Sequence, residues 1–280
     1  LLKAGKKVAV CEQTEDPKFT KGLVKREVVR IITPGTVLDD HMLDPKSDQL
    51  IVSLFISKGE IGLAALDVST GTFKVTQFNE DKTGSPLADE LQKLAPKEIL
   101  IPEALVDQPK PWLPKGDPFL HSWEDWTYSH SEAVRNLLNH FKTQSLEGFG
   151  CENMSHGISA AGALIHYLHE TQKSALEHIN SISPFYIHDY MALDQSTVTS
   201  LELIQSSEGT RKNSLLNLLD ESCTPMGARR IREWIIKPLI DSEKIKARLE
   251  IVSTFKSLPL NRQDTRDILK KIFDLERLLG

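Results

Sequence analysis

A carboxylate at the end of a strand can hold a metal ion, and a row of cations beside a strand can hold a phosphate. This 280-residue chain has one candidate of each kind. Asp67, at the strand end within AALDVSTG, could be the first carboxylate of a two-magnesium nuclease, which needs three or four converging acids. The same aspartate could instead accept hydrogen bonds from the turn that follows, at Ser69 or Thr70. No later strand offers a clear in-line partner, since Glu98 opens a strand and Glu103 follows a proline. The cations are Lys21, Lys25, Arg26 and Arg30, four within ten residues. Contacts from such residues would position a nucleic-acid backbone without reading its sequence. Arg229, Arg230 and Arg232 form a second basic group, but they span one helical turn and point in different directions. Asp220, Glu221 and Glu233 are their expected partners.

Other chemistry is poorly supplied. Gly22, Gly59 and Gly71 stand alone and Gly148-x-Gly150 lacks a following Gly-Lys, so there is no phosphate loop for ATP. Cys11, Cys151 and Cys223 lie far apart with no CxxC pair, which argues against a disulfide or zinc framework and for a reducing compartment. His166 and His169 are three apart on an expected helix, without an acidic or cysteine partner at ligand spacing. The sequence therefore implies no catalytic residue, no metal site and no cofactor within this chain. No apolar run is long enough to span a membrane, and the opening is not a signal peptide. The chain opens without methionine and ends abruptly, and the expectation is a segment of a longer protein.

Charge is unevenly spread. The net charge is −5, yet residues 1–38 carry 8 Lys/Arg against 4 Asp/Glu and residues 205–280 carry 15 against 11. Two basic ends flank an acidic centre, so the ends are the places to meet nucleic acid.

The elements that must position these groups follow from periodicity. Residues 7–13 and 28–32 read as strands, the second closed by the turn Thr33-Pro34-Gly35-Thr36. Residues 50–56, 61–66 and 72–78 read as an antiparallel meander with turns at Lys58-Gly59 and Ser69-Thr70-Gly71. Ser85-Pro86 starts a helix with Leu87, Leu91 and Leu94 on one face, and 98–101 is a strand that a crossover can lay beside the meander. Residues 108–127, rich in proline and tryptophan, have no clear assignment. Trp112, Trp123 and Trp126 there are expected to cover a core edge, with a partner-binding patch as the alternative. Helices follow from Ser131 to Phe141 and from Ser155 to Lys173. Beyond them, caps recur: Asp194, Ser214 before Leu215–Leu219, and Thr224-Pro225 before a helix stopped by Pro238. Ile231, Trp234 and Ile235 are its expected buried stripe. Asp241 or Ser242 should cap a helix with Ile245, Leu249, Val252 and Phe255 in phase, and further helical stripes cover 261–269 and 271–279.

Motifs at both ends resemble the MutS family of DNA mismatch repair proteins. At the start they are Cys11–Gln13 with Asp16-Pro17, then Lys21-Gly22, Val24, Arg26, Val28, Arg30 and Thr33–Thr36. Later come Leu193-Asp194 with Thr197, Leu201–Leu203, Ser214–Asp220, Thr224–Gly227, the frame Arg229–Leu239 and Asp274–Gly280. Between Asp194 and Leu201 the family has a basic pair and an asparagine, where this chain has Val198, Thr199 and Ser200. The resemblance implies a multidomain α/β plus α chain. Residues 1–38 would be the C-terminal remnant of the mismatch-binding domain, expected either to be poorly ordered or to dock on its neighbour. Residues 39–168 would be a ribonuclease-H-like α/β connector domain, and 169–280 the first part of a helical core (lever) domain. It further implies mismatched double-stranded DNA as partner and a MutL-type repair partner on the connector. The intact protein would be a homodimer that hydrolyses ATP with magnesium through a domain beyond this segment, in a cytoplasmic, nucleoid-associated setting. Lys21, Lys25, Arg26 and Arg30 fall where the family lies near the duplex backbone. The family's phenylalanine-x-glutamate reading motif lies upstream, and Phe19 is not followed by glutamate two positions on. This segment would then be a non-enzymatic scaffold. A ribonuclease-H-like nuclease and a plain protein-interaction module are the alternatives.

Overall fold

Alternation of apolar and polar residues yields strands where it was expected, and a computed structural model describes residues 1–2, 6–15, 24–39, 41–79, 85–114, 118–173 and 176–279. The motif residues Asp16, Pro17, Lys21 and Gly22, and Phe19, lie outside these residues. β1 (Val8–Gln13) and β2 (Arg26–Ile32) form an antiparallel pair in which Val10 faces Arg30 and Cys11 faces Val28. Val29 is thus the extra residue of a bulge, which bends β2.

The meander is β3 (Leu50–Ser57), β4 (Glu60–Asp67) and β5 (Thr72–Asn79), antiparallel throughout. The β3–β4 turn places Lys58 and Gly59 at φ 54° and 79°, the positive pair that matches strand twist in a two-residue hairpin. Helix α1 (Ser85–Leu94) crosses over so that β6 (Glu98–Pro102) lies parallel to β3. The stretch without a clear assignment contains one more strand, β7 (Phe119–Trp123), parallel to β6. Helices α2 (His130–Phe141) and α3 (Ser155–Gln172) follow, and the two-residue β8 (Ser183–Pro184) pairs parallel with β5. The order across this mixed sheet is β7-β6-β3-β4-β5-β8.

The pleat sends alternate side chains to two cores. Ile51, Leu66, Phe73, Val75 and Leu100 pack under α2 and α3, while Val52, Leu54, Leu63, Ile99 and Ile101 pack with Leu87 and Leu91 of α1. Gly62 lets α3 start directly on β4: a Cβ there would stand 2.0 Å from the His156 carbonyl oxygen. α3 continues beyond residue 168, and Leu176, Ile179 and Ile182 join its core. Trp112 is buried in the α1 core, Trp123 meets Tyr167 edge to face with ring centres 5.0 Å apart, and half-exposed Trp126 meets His166 in the same way. The N-cap position of α2 is Ser129, two residues before the expected Ser131.

The remainder is helical: α4 (Gln195–Ser200), α5 (Leu215–Leu219), α6 (Pro225–Ile236), α7 (Ser242–Ser257), α8 (Pro259–Leu269) and α9 (Leu275–Leu278). The caps hold as read. Asp194 accepts from Thr197 N at 2.7 Å, Ser214 from Asn217 N at 3.1 Å and Thr224 from Gly227 N at 3.0 Å. The buried stripe of α6 is different. Ala228, Arg229 and Ile236 are buried, whereas Trp234 is 40% exposed with the Arg248 guanidinium 3.9 Å above its ring. The inward face carries Arg229 between apolar Ala228 and Ile236 because that position meets the Pro45 carbonyl and the Asp274 and Glu276 carboxylates. On α7 the expected stripe stands exposed, with Leu249 and Val252 at 61%, and of 271–279 only α9 is helical. No described helix is long and apolar enough to cross a membrane.

Candidate functional site

Two joints and one basic hairpin hold the polar groups. On the hairpin, Lys25 Nζ lies 2.5 Å from a Glu27 carboxylate oxygen, both side chains exposed. That hydrogen bond, then the Lys25 charge, holds the Glu27 carboxyl below its usual range. Arg26 is exposed and Arg30 half-buried on β2, and neither has a side-chain partner among the described residues. Of the expected cations, these two keep a guanidinium free for phosphate.

The hairpin is docked through a buried carboxylate. Glu98, fully enclosed at the start of β6, accepts from Thr33 Oγ1 at 2.5 Å, Gly35 N at 3.0 Å and Tyr167 Oη at 2.7 Å. Three donors on one carboxylate favour its charged form. Burial opposes them and leaves the Glu98 carboxyl above its usual range. Gly35 is required by contact: a Cβ would meet Glu98 Cβ at 2.8 Å and Ile51 Cβ at 3.1 Å. Lys7 stands alongside, donating to His121 Nε2 at 2.9 Å. Burial lowers the Lys7 ammonium while Glu98 raises it, and burial followed by Lys7 pushes His121 down to about 4, so its ring is neutral. Gln172 Nε2 adds a bond to the Ile31 carbonyl at 3.1 Å. The sequence reading took Glu98 only as a strand start; a lone acid opening the apolar run EILI was the available signal.

Asp67 is not free for metal chemistry. Its Oδ1 accepts from Ser69 N at 2.9 Å and Ser69 Oγ at 2.6 Å, and its Oδ2 from Gln49 N at 2.8 Å. Asp67 pairs with Leu50 and Glu98 with Ile51, so the two acids project from opposite faces of the sheet. Among the described residues no three His, Cys, Asp or Glu are grouped to hold a metal ion. His166 Nδ1 accepts from Trp123 Nε1 at 3.2 Å, and His169 meets His140 at 3.1 Å.

The second joint binds the segment 41–48 and the sheet to the helical part. Arg229, 5% exposed, donates to both oxygens of Asp274 at 2.7 and 2.8 Å, to Glu276 at 2.6 Å and to the Pro45 carbonyl at 3.0 Å. Burial alone would lower its guanidinium, but these partners hold it above its ordinary value. The sequence reading paired these arginines with nearby acids; that holds for Arg230 with Glu233 at 2.6 Å, whereas Arg229 reaches forward to the start of α9. Asp220 instead accepts from Lys46 at 2.9 Å and from Arg211. Burial would raise the Asp220 carboxyl, yet Lys46, Ser222 and Arg211 hold it down to about 2. Arg277 donates to the Ser47 carbonyl at 2.8 Å and the Asp44 carbonyl at 3.2 Å. Lys74 of β5 reaches Glu233 of α6 at 3.2 Å, and Lys237 reaches Glu90 of α1 at 2.8 Å while lying 4.8 Å above Phe185. The arrangement fastens three parts of one chain by charge-assisted hydrogen bonds.

Comparison with known proteins accounts for all three parts. Residues 1–41 match the family model for MutS domain I, 49–180 that for MutS domain II and 196–280 that for MutS domain III. The chain is similar to the DNA mismatch repair protein MutS of Halothermothrix orenii, 45% identical over 285 positions that cover 100% of this chain and 31% of the relative. That of Alkaliphilus metalliredigens is 43% identical, covering 100% and 32%, and that of Symbiobacterium thermophilum 40%, again covering 100% and 32%. The chain thus spans about a third of the length of the curated relatives it matches.

Proposed function

The chain belongs to the MutS family of DNA mismatch repair proteins, and on that premise we propose that it is the structural link between a DNA-facing hairpin and the helical core of a protein that recognises mismatched DNA. In the intact protein that recognition would be coupled to ATP binding and hydrolysis with magnesium in another domain, and to homodimer formation. This segment carries no catalysis in that scheme. Its connector sheet also offers the surface for a MutL-type partner, and the setting is the cytoplasm, on the nucleoid.

The observation that carries this reading is the placement of the joints. One sheet holds the hairpin through Glu98 on β6 and holds the core through Lys74 on β5 and Glu90 on α1. A displacement of the hairpin therefore reaches α6 through the sheet, and also through the 41–48 segment that Arg229 holds at Pro45. We read the sheet as ribonuclease-H-like because β6 and β7 add in parallel on the far side of β3 from an antiparallel meander. We divide the chain at about residues 38 and 168; the packing of Leu176 and Ile179 with α3 favours moving the second boundary past β8. Lys21, Lys25, Arg26 and Arg30 are the proposed backbone contacts.

A duplex-binding titration against salt tests the DNA contact. These four contacts predict a log–log slope of roughly −4, from about −0.9 per neutralised phosphate, with matched and mismatched duplexes bound alike. A flat salt response refutes the contact.

A further inference from the structure

A cleft of about 910 Å³ opens between the connector and the core, and no function described above uses it. Lys93 and Lys97 stand on its connector wall, α4 and the 204–209 loop on its core wall, and Arg232 of α6 joins the two. Among the described residues its lining carries these three cations against one acid, Asp89. Asp89 Oδ1 is taken by the Gln195 amide at 3.2 Å. Lys93 lies 4.0 Å from Glu90, whose nearer partner is Lys237 at 2.8 Å.

Arg232 is the anomaly. Its neighbours Arg229 and Arg230 each hold carboxylates, but half-buried Arg232 has no hydrogen bond or ion pair among the described residues. Burial lowers its guanidinium; Asp48 attracts it and Arg211 repels it. A part-buried guanidinium that faces a cleft without a carboxylate or carbonyl partner favours an anion beside it.

We propose that this cleft binds a phosphate-bearing anion, anchored by the Arg232 guanidinium between the Lys93 and Lys97 charges. The planar fork of arginine suits a phosphate's paired oxygens, and the volume is that of a small-ligand pocket. Because the walls belong to different parts of the chain, the ligand stiffens the joint between them. The site stands on these contacts alone and not on the hairpin's role on DNA.

Inorganic pyrophosphate and a 15-base-pair duplex, each titrated into the full chain at fixed ionic strength, test it by calorimetry and by melting temperature. Saturable pyrophosphate binding that raises the melting temperature, weakened about tenfold or more by Arg232→Gln and also weakened by Lys97→Gln, is expected. Arg230→Gln, which removes an exposed and already paired arginine, should leave it unchanged. Duplex binding that Arg232→Gln weakens and pyrophosphate competes away assigns the phosphate to a nucleic-acid backbone; duplex binding indifferent to Arg232→Gln assigns it to a small anion. Absence of saturable pyrophosphate binding, or equal binding by the folded Arg232→Gln chain, overturns the proposal.

Discussion

Replacing Arg229 should loosen the joint on both of its sides. The guanidinium makes four hydrogen bonds, two to Asp274, one to Glu276 and one to the Pro45 carbonyl. Breaking a fully buried ion pair costs about 3–5 kcal/mol. Here Asp274 and Glu276 are 15% and 48% exposed and regain water when the arginine leaves, so Arg229→Ala should cost about 2–4 kcal/mol. Arg229→Lys keeps the charge but cannot span three acceptors, and should cost about 1–2 kcal/mol. Amide hydrogen exchange reads these values locally. At about 1.4 kcal/mol per tenfold, exchange in 274–279 should accelerate roughly 30- to 700-fold in Arg229→Ala. Because Pro45 loses its donor as well, the amides of Lys46 and Ser47 should accelerate with it, while those of β4 should not. Acceleration confined to α6 and α9 would refute the claim that Arg229 ties the 41–48 segment to the core, and a lysine variant as protected as the wild type would refute the need for the fork.

Other consequences are more local. Thr224→Ala removes the acceptor of Gly227 N and should cost about 1 kcal/mol in a urea titration, with no further loss; no change would show that Pro225 alone sets the start of α6. Glu98→Gln turns one acceptor into a donor facing Thr33, Gly35 or Tyr167, and one enclosed donor left unmet costs about 1–3 kcal/mol. Exchange at Gly35 and Thr36 should rise while the β3–β4 amides stay protected, and equal protection at the turn would contradict the docking role. The Asp220 carboxyl lies at about 2 against an ordinary 3.8, so its stabilisation is complete above the ordinary value and is lost as pH falls through the lowered one. Urea midpoints at pH 6 and pH 3 should therefore differ less in Asp220→Asn than in the wild type.

Local rules served well wherever a residue's neighbours in sequence decide its structure. The meander, the crossover to β6 and the caps at Asp194, Ser214 and Thr224 all depend on alternation or on a hydroxyl or carboxylate within three residues. β7 escaped because FLHSW is an intermediate-burial strand at the sheet's edge, without alternation, placed by its pairing with β6. The inward face of α6 escaped because apolar residues were sought. The joint buries Arg229 against Asp274, 45 residues away, and no periodicity reports such a pairing. Of the site residues, the hairpin arginines were legible as a cluster, and Asp67 was legible as a turn acceptor. Glu98 was not, since its donors are 63 to 69 residues distant in the chain.

The central claim is that hairpin, sheet and core move as one body because Glu98 and Arg229 fasten them. Native thiols suit its test: Cys11 is exposed on β1, Cys223 is partly exposed just before α6, and Cys151 is buried. Spin labels on Cys11 and Cys223 read the distance across both joints by pulsed dipolar spectroscopy. A single narrow distribution, broadened by Glu98→Gln and by Arg229→Lys separately, is the predicted result. A broad or divided distribution in the wild-type chain, or one that neither variant alters, contradicts it.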